Sequence, residues 1–342
     1  MCRYKKTNPF NPIPFNPMLF EAEKVFELMN DFGRRSKPFI FGIDFAVKKG
    51  FFMPPDEAAD YGVLYQVNGK GNAKVASGCV APVAMEKFPP GLAAYKHAFK
   101  IVHQNLAEGN SYLTNLTFPT EIKLNIDLPE IFGRSNARYK LLFKDEFVVF
   151  SPEIFVQINE STIRSFPMKG TIDASIPEAE KTILSDPKET AEHSTIVDLI
   201  RNDLGMVASD VKVDRFRYIE KINTHEKSLL QVSSEISGTL PGDFASNLGN
   251  IFSKLLPAGS ISGAPKKKTL EIISQAETYS RGFYTGVFGL YDGSMLDSGV
   301  MIRFIKKEQG KLIFCSGGGI TARSKAENEY SELIDKVYVP FV

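Results

Sequence analysis

The chain has 342 residues, 43% hydrophobic and 24% charged, with a formal net charge of +1. This is ordinary globular composition, long enough for a large core, and it offers no global field for nucleic acid or an anionic membrane. Cys2, Cys79 and Cys315 are odd in number and widely spaced, which argues for a reducing compartment without disulfides or structural zinc. No apolar run approaches the ~20 residues that span a bilayer, and Asn-Pro repeats rather than an apolar segment follow the basic start. A cytoplasmic protein is expected.

Residues 8–18 are punctuated by proline and read as an extended arm. Residues 21–32 have helical spacing, and nothing over 33–88 suggests chemistry. Tyr95 to Leu106 repeats apolar residues at Ala98, Ile101, Val102 and Leu106 and stops at Gly109-Asn110, a helix ending. Strands are predicted at 111–118, 138–144, 147–158 and 161–166. A meander is predicted at 283–291, 297–306 and 310–315, turning at Asp292-Gly293 and Glu308-Gln309-Gly310. Helices are predicted at 187–204, 243–255, 265–276 and 325–338. Strands come as hairpins and helices as separate blocks, so an antiparallel α+β architecture is expected instead of a doubly wound sheet. Residues 1–87 read as an arm plus a short N-terminal part of the fold, and 88–342 as one catalytic unit.

Lys169 stands alone between Pro167-Met168 and Gly170-Thr171, directly after a strand-like run. Such a lysine is either a surface turn residue or a nucleophile held in a site. Downstream, Asp186, Pro187 and Glu189 suit the N-cap, N1 and N3 positions of a helix. Glu189 there could be a capping-box residue, whereas Glu192 leans toward the apolar face of Ile196, Val197, Leu199, Ile200 and Leu204. A carboxylate on that edge needs a cation, a metal or a polar network. Gly317-Gly318-Gly319 closes a strand before the last helix and permits either a tight turn or an anion-binding nest. Glu332 lies opposite the stripe of Tyr330, Leu333, Ile334 and Val337, where periodicity alone predicts a solvated carboxylate.

Several segments, in order, carry a family likeness. They are Gly109 to Leu116, Ser151-Pro152-Glu153, Pro167 to Thr171, Lys188 to Gly205, Gly259 to Lys266, Arg281 to Gly286, Ile302-Arg303, Ser316 to Ile320, and Glu329 to Glu332. With these motifs the chain resembles the chorismate-utilising enzymes, most closely the aminodeoxychorismate synthase component I branch. The likeness covers roughly residues 88–342.

The resemblance implies two antiparallel sheets with helices outside. It implies a magnesium ion held by Glu192 and Glu332, with Glu189 and Glu329 beside them, and chorismate bound through Thr171, Ser262, Gly263, Tyr284, Arg303, Gly318 and Gly319. Lys169 would be the covalent nucleophile at C2, and Glu153 the general acid–base. The implied reaction is amination of chorismate at C4, giving 4-amino-4-deoxychorismate for para-aminobenzoate and folate. The implied ammonia source is a separate glutamine amidotransferase, since no cysteine here sits in a nucleophile-elbow context. Where many relatives carry a histidine, this chain has Gln231, which cannot carry a proton near neutrality. Anthranilate synthase component I and a non-catalytic chorismate-binding paralogue are the alternatives.

Overall fold

Every residue of the strands Phe39–Ile43, Tyr139–Phe143 and Phe147–Ser151 is buried. Strands of this kind need an apolar layer on both faces, and the layering of the fold provides it. The computed structural model describes residues 19–73, 83–223, 228–263 and 265–340; the arm over 8–18, Cys2 and Cys79 lie outside them. Among the described residues two antiparallel sheets pack face to face, one of ten strands and one of eight. The architecture is α+β, as the pattern of hairpins and separate helices predicts.

The ten-stranded sheet runs Phe20–Glu21, Lys49–Met53, Phe39–Ile43, Val287–Tyr291, Leu296–Val300, Ile154–Asn159, Thr162–Ser165, Ser228–Thr239, Met168–Asp173, with Ser209–Asn223 also paired to Ser228–Thr239. The eight-stranded sheet runs Lys70–Gly71, Val63–Val67, Tyr139–Phe143, Phe147–Ser151, Phe304–Glu308, Lys311–Ile320, Thr114–Leu124, Met85–Phe88. Between the sheets lies an aromatic core that includes Phe51, Tyr139, Phe143, Phe147, Phe288 and Phe304. The helices Ala22–Arg34, Pro187–Gly205 and Leu248–Leu255 cover the outer face of the larger sheet. Leu128–Arg134 packs on the smaller one, and Leu92–Ala107, Lys266–Ala276 and Ala326–Asp335 share a further cluster with it. No helix among the described residues is long and apolar enough to cross a membrane.

Residues before 88 contribute to both sheets. Ile43 pairs with Val287, and Val63 with Phe143. The division at residue 88 therefore marks motif content and does not fall at a break in either sheet.

Two runs that read as single strands are each split between the sheets. The run 147–158 leaves the smaller sheet after Ser151 and enters the larger one at Ile154. The run 297–306 leaves the larger sheet after Val300 and enters the smaller at Phe304. Arg303 takes the turn with φ +52°. Two backbone bonds stitch the crossings together: Val300 N–H donates to Glu153 O at 3.1 Å, and Phe150 N–H to Arg303 O at 3.1 Å. The long hairpin of Ser209–Asn223 with Ser228–Thr239 is absent from the sequence reading. Its first strand is dense in charge (Lys212, Asp214, Arg215, Arg217, Glu220, Lys221) and mostly half-buried or exposed, so it lacks a clean two-residue apolar alternation.

Close approach of the sheets depends on a missing side chain at Gly299. A Cβ there would lie 2.6 Å from the Tyr139 ring, whose hydroxyl crosses to donate to Asp297 Oδ1 at 2.6 Å. Gly299→Ala should destabilise the protein by about 1–3 kcal/mol through overpacking, read as a lower urea midpoint at unchanged slope. A wild-type midpoint would show that Tyr139 can move aside at no cost.

Candidate active site

The two crossings place Glu153 and Arg303 on the wall of one cavity of about 220 Å³. Lys169 reaches the same cavity by a different device. Pairing of Met168–Asp173 with Ser228–Thr239 slips between Met168 and Thr171, and Gly170 adopts φ +85°. This is a β-bulge, which re-aims a side chain out of the ladder. Glycine suits the bulge, because this φ strains an L side chain and a Cβ would press on Glu189 Oε2 at 2.9 Å.

The helix Pro187–Gly205 begins as the sequence predicts, with Glu189 N–H donating to Asp186 Oδ1 at 3.0 Å. One turn on, Glu192 pairs with Lys169, Nζ to Oε2 2.8 Å. With 12% of its side chain exposed, Glu192 is the partnered, core-edge carboxylate that its helical position requires. Glu189 lies against Gly170. On the far side, the strand Lys311–Ile320 brings Gly317, Gly318 and Gly319 to the cavity wall. The helix Ala326–Asp335 stands behind them. Glu329 and Glu332 both come within 4 Å of where a Cβ of residue 318 would sit. Glu329 is buried, whereas Glu332 is 54% exposed and held by Lys336 at 2.6 Å. Its solvated address matches the periodicity, yet its Oε1 lies 3.7 Å from where a Cβ of residue 318 would sit, beside the cavity wall.

Tyr284 and Arg303 line the cavity together. Burial pushes the Tyr284 hydroxyl well above its ordinary value, so it remains a neutral donor. Arg303 makes no ion pair among the described residues. Its guanidinium contacts Lys336 O and the Tyr338 hydroxyl at the long distances of 3.5 and 3.4 Å, over the Tyr338 ring. That leaves its planar fork open to a carboxylate.

Thr171, Ser262 and Gly263 are not brought to this wall. Thr171 is exposed and paired in register with Gln231. Ser262 is fully buried and donates to Ala258 O at 3.1 Å. Gly263 (φ +89°) backs onto Leu113, whose carbonyl oxygen a Cβ would meet at 1.9 Å. The same loop presents Ser260 instead, which donates to Glu153 Oε1 at 2.9 Å. Sequence reasoning passed over Lys336, and it quoted Asn115 and His193 within motifs without giving either a role. The i,i+4 spacing of Glu332 and Lys336 was a readable signal for the first.

Burial pushes the Glu153 carboxyl up, and the Ser260 hydrogen bond with the charges of Arg303 and Lys336 pulls back only part of that rise. Glu153 is thus suited to hold a proton. For Lys169, burial favours the neutral amine, but Glu192, Glu189 and Glu332 outweigh it, and the net direction is upward. Lys169 is an ammonium in this arrangement. His193 is buried, its Nε2 2.7 Å from Ser234 Oγ. Burial first, then the charge of Arg217, pushes it down to about 4.

The carboxylate oxygens suit a hard divalent cation. Among the described residues no group of three or more His, Cys, Asp or Glu is placed to hold a metal jointly. Magnesium commonly takes only one or two protein carboxylates, with waters and substrate oxygens completing the shell. Glu192 and Glu332 fit that requirement, and each now has a lysine ammonium as its cation.

The sequence profile of the chorismate binding enzymes matches residues 77–341. The chain belongs to the chorismate-binding enzyme family. An uncharacterized PabA-like protein of Pasteurella multocida is 52% identical over 312 residues, covering 91% of this chain and 96% of that one. Aminodeoxychorismate synthase component 1 of Salmonella typhimurium is 32% identical over 71% of this chain, which spans only 56% of that protein. A 2,3-dihydroxybenzoate-specific isochorismate synthase (DhbC) from Bacillus anthracis shares the fold. Its TM-score is 0.69 at 21% identity, covering 94% of this chain and 88% of that one.

Two measurements test the electrostatics around this cavity. Glu192→Gln removes the charge that contributes most to raising Lys169, so burial gains weight and the Lys169 pKa should fall. NMR titration of reductively ¹³C-methylated protein reads that change, and an unmoved lysine resonance would contradict the pairing. His193 has a folded pKa near 4, below its unfolded value of about 6.5. As pH falls the unfolded chain therefore binds this proton first, and stability is lost from about pH 6.5 down to about 4. The urea midpoint should drop across that window, with a shallower drop in His193→Gln.

Proposed function

We propose that this protein is an aminodeoxychorismate synthase component I, which replaces the C4 hydroxyl of chorismate by an amino group. The observation that carries the reading is Lys169. A bulge takes it out of its strand and into a cavity that also holds Glu153, whose carboxyl burial pushes up, and an open Arg303. The likeness to the Salmonella typhimurium synthase component supports the same reading.

In this reading Arg303 and Tyr284 bind the enolpyruvyl carboxylate beside the Gly318-Gly319 backbone. The amine of Lys169 adds at C2, the ring double bonds shift, and the C4–O bond breaks while Glu153 protonates the departing hydroxyl to water. Ammonia then adds at C4, the double bonds shift back, and the C2–N bond to Lys169 breaks. Dividing one substitution into two easier displacements is the logic of nucleophilic catalysis. Glu192 and Glu332, flanked by Glu189 and Glu329, would hold magnesium. When bound, the ion would supply positive charge against these carboxylates and the ring carboxylate of the substrate. Lys169 must lose the proton that Glu192 holds on it before it can attack, so offsetting that negative charge is a condition of the chemistry. The ammonia would come from a glutamine amidotransferase partner.

The test is incubation with chorismate, magnesium and ammonium, followed by mass analysis. A product that keeps the enolpyruvyl group is expected, whereas release of pyruvate with anthranilate would overturn the assignment. Lys169→Ala should slow amination by a factor on the order of 10² or more, about 2.7 kcal/mol of barrier. An unchanged rate would remove covalent catalysis from the scheme.

A further inference from the structure

Asn115 stands opposite Gly319 on the strand Thr114–Leu124 and lines the cavity. Its Oδ1 is shielded from solvent and has no hydrogen-bond partner among the described residues. A buried acceptor left without a donor costs free energy that a bound donor would recover.

The residue is held from behind by a built support. Arg281 Nη2 donates to the backbone oxygen of Asn115 at 2.9 Å. Arg281 is gripped in turn by Glu277, Nε to Oε2 2.8 Å and Nη2 to Oε1 2.6 Å. Glu277 also accepts from Thr117 N–H and Thr117 Oγ1, two residues further along the strand, both at 2.8 Å. Both members of the ion pair are almost wholly buried, so this stretch of strand has little freedom to turn Asn115 elsewhere. Across the ladder, Gly319 and Gly317 present no side chain that could meet it.

We propose that Asn115 is a specificity-determining residue that reads the substituent at C4 of the ring, its Oδ1 accepting a hydrogen bond from the C4 hydroxyl of chorismate. The inference rests on the reading of the site as a chorismate aminase. At neutral pH chorismate carries two carboxylates, an ether oxygen and one hydroxyl, so that hydroxyl is its only hydrogen-bond donor. The cations of the cavity match its carboxylates, whereas a carboxamide oxygen matches only the hydroxyl. Exchange of hydroxyl for amine keeps a donor at the same carbon, so the contact serves substrate and product alike.

Calorimetric titration with chorismate and with its 4-deoxy analogue, in magnesium without ammonia, tests the assignment. The wild-type protein should prefer chorismate about tenfold. Asn115→Leu, of similar size, should bring that preference close to one, leaving affinity for the deoxy analogue within about twofold. Asn115→Asp keeps the acceptor and loses the donors, so it should retain the preference while weakening both ligands through its charge. A Leu variant with the wild-type preference, or one that weakens both ligands equally, overturns the role of Asn115 while chorismate binding itself stands. An Asp variant that loses the preference overturns it too. Failure of the wild-type protein to bind either ligand would overturn the reading of the site and this inference with it.

Discussion

When the chain passes from the smaller sheet to the larger at Ser151–Ile154, and back at Val300–Phe304, it leaves the hydrogen-bond ladder for two or three residues. Strands that change sheets form the corners of a sandwich. Here the corners are tied to each other by backbone bonds from Val300 to Glu153 and from Phe150 to Arg303. An acid and a guanidinium are thereby fixed at the seam, where side chains are neither packed between sheets nor turned to solvent. The bulge at Lys169–Gly170 and the side-chain-free stretch Gly317–Gly319 complete the hollow. The crossings and the bulge are departures from regular pairing, whereas Gly317–Gly319 stays in register with Thr117–Asn115 and contributes by lacking side chains. The aromatic packing between the sheets, from Phe51 to Phe304, is what holds the departures in register.

Charge is the second organising force. Glu189, Glu192, Glu329 and Glu332 approach the same region from two helices, and an unbalanced group of carboxylates in a half-buried site would be costly. Lys169 and Lys336 offset two of them directly. The same environment acts in opposite senses on the two groups proposed to move protons. Burial, only partly offset by Ser260, Arg303 and Lys336, raises the Glu153 carboxyl, and surplus negative charge keeps a proton on Lys169. Burial and charge thus push both groups toward their protonated forms, by different causes.

Much of this was legible in the sequence, and the reasons differ by element. The helix at 187–205 announced itself through Asp186, Pro187 and its apolar stripe, and Glu192 earned its place from spacing alone. Glu332 did not, because helical periodicity describes one helix against one core and cannot see the side-chain-free strand at Gly318 that lies beside it. The crossings were invisible for a related reason. A sheet change leaves the alternation of apolar residues intact, so 147–158 and 297–306 read as unbroken strands although Glu153 and Arg303 mark their breaks. Ordered motifs supplied the membership of the site, but the loop at Gly259–Gly263 shows their limit. The cavity takes Ser260, while Ser262, two residues on, spends its hydroxyl on the backbone.

The strand Phe39–Ile43 lies beside Val287–Tyr291, partners almost 250 positions apart in the chain (Ile43 with Val287, for instance). The cavity wall likewise gathers residues from Leu113 to Lys336. Closing such distant pairs is entropically late work, and on a ribosome the second partner does not exist until most of the polypeptide has emerged. During synthesis the early hydrophobic strands must therefore wait, exposed, for sequence still to be translated. A product cut short before Lys311 would carry Glu153 and Lys169 but lack the wall formed by Gly317–Gly319 and Lys336, so the pocket closes only after that late hairpin has been made.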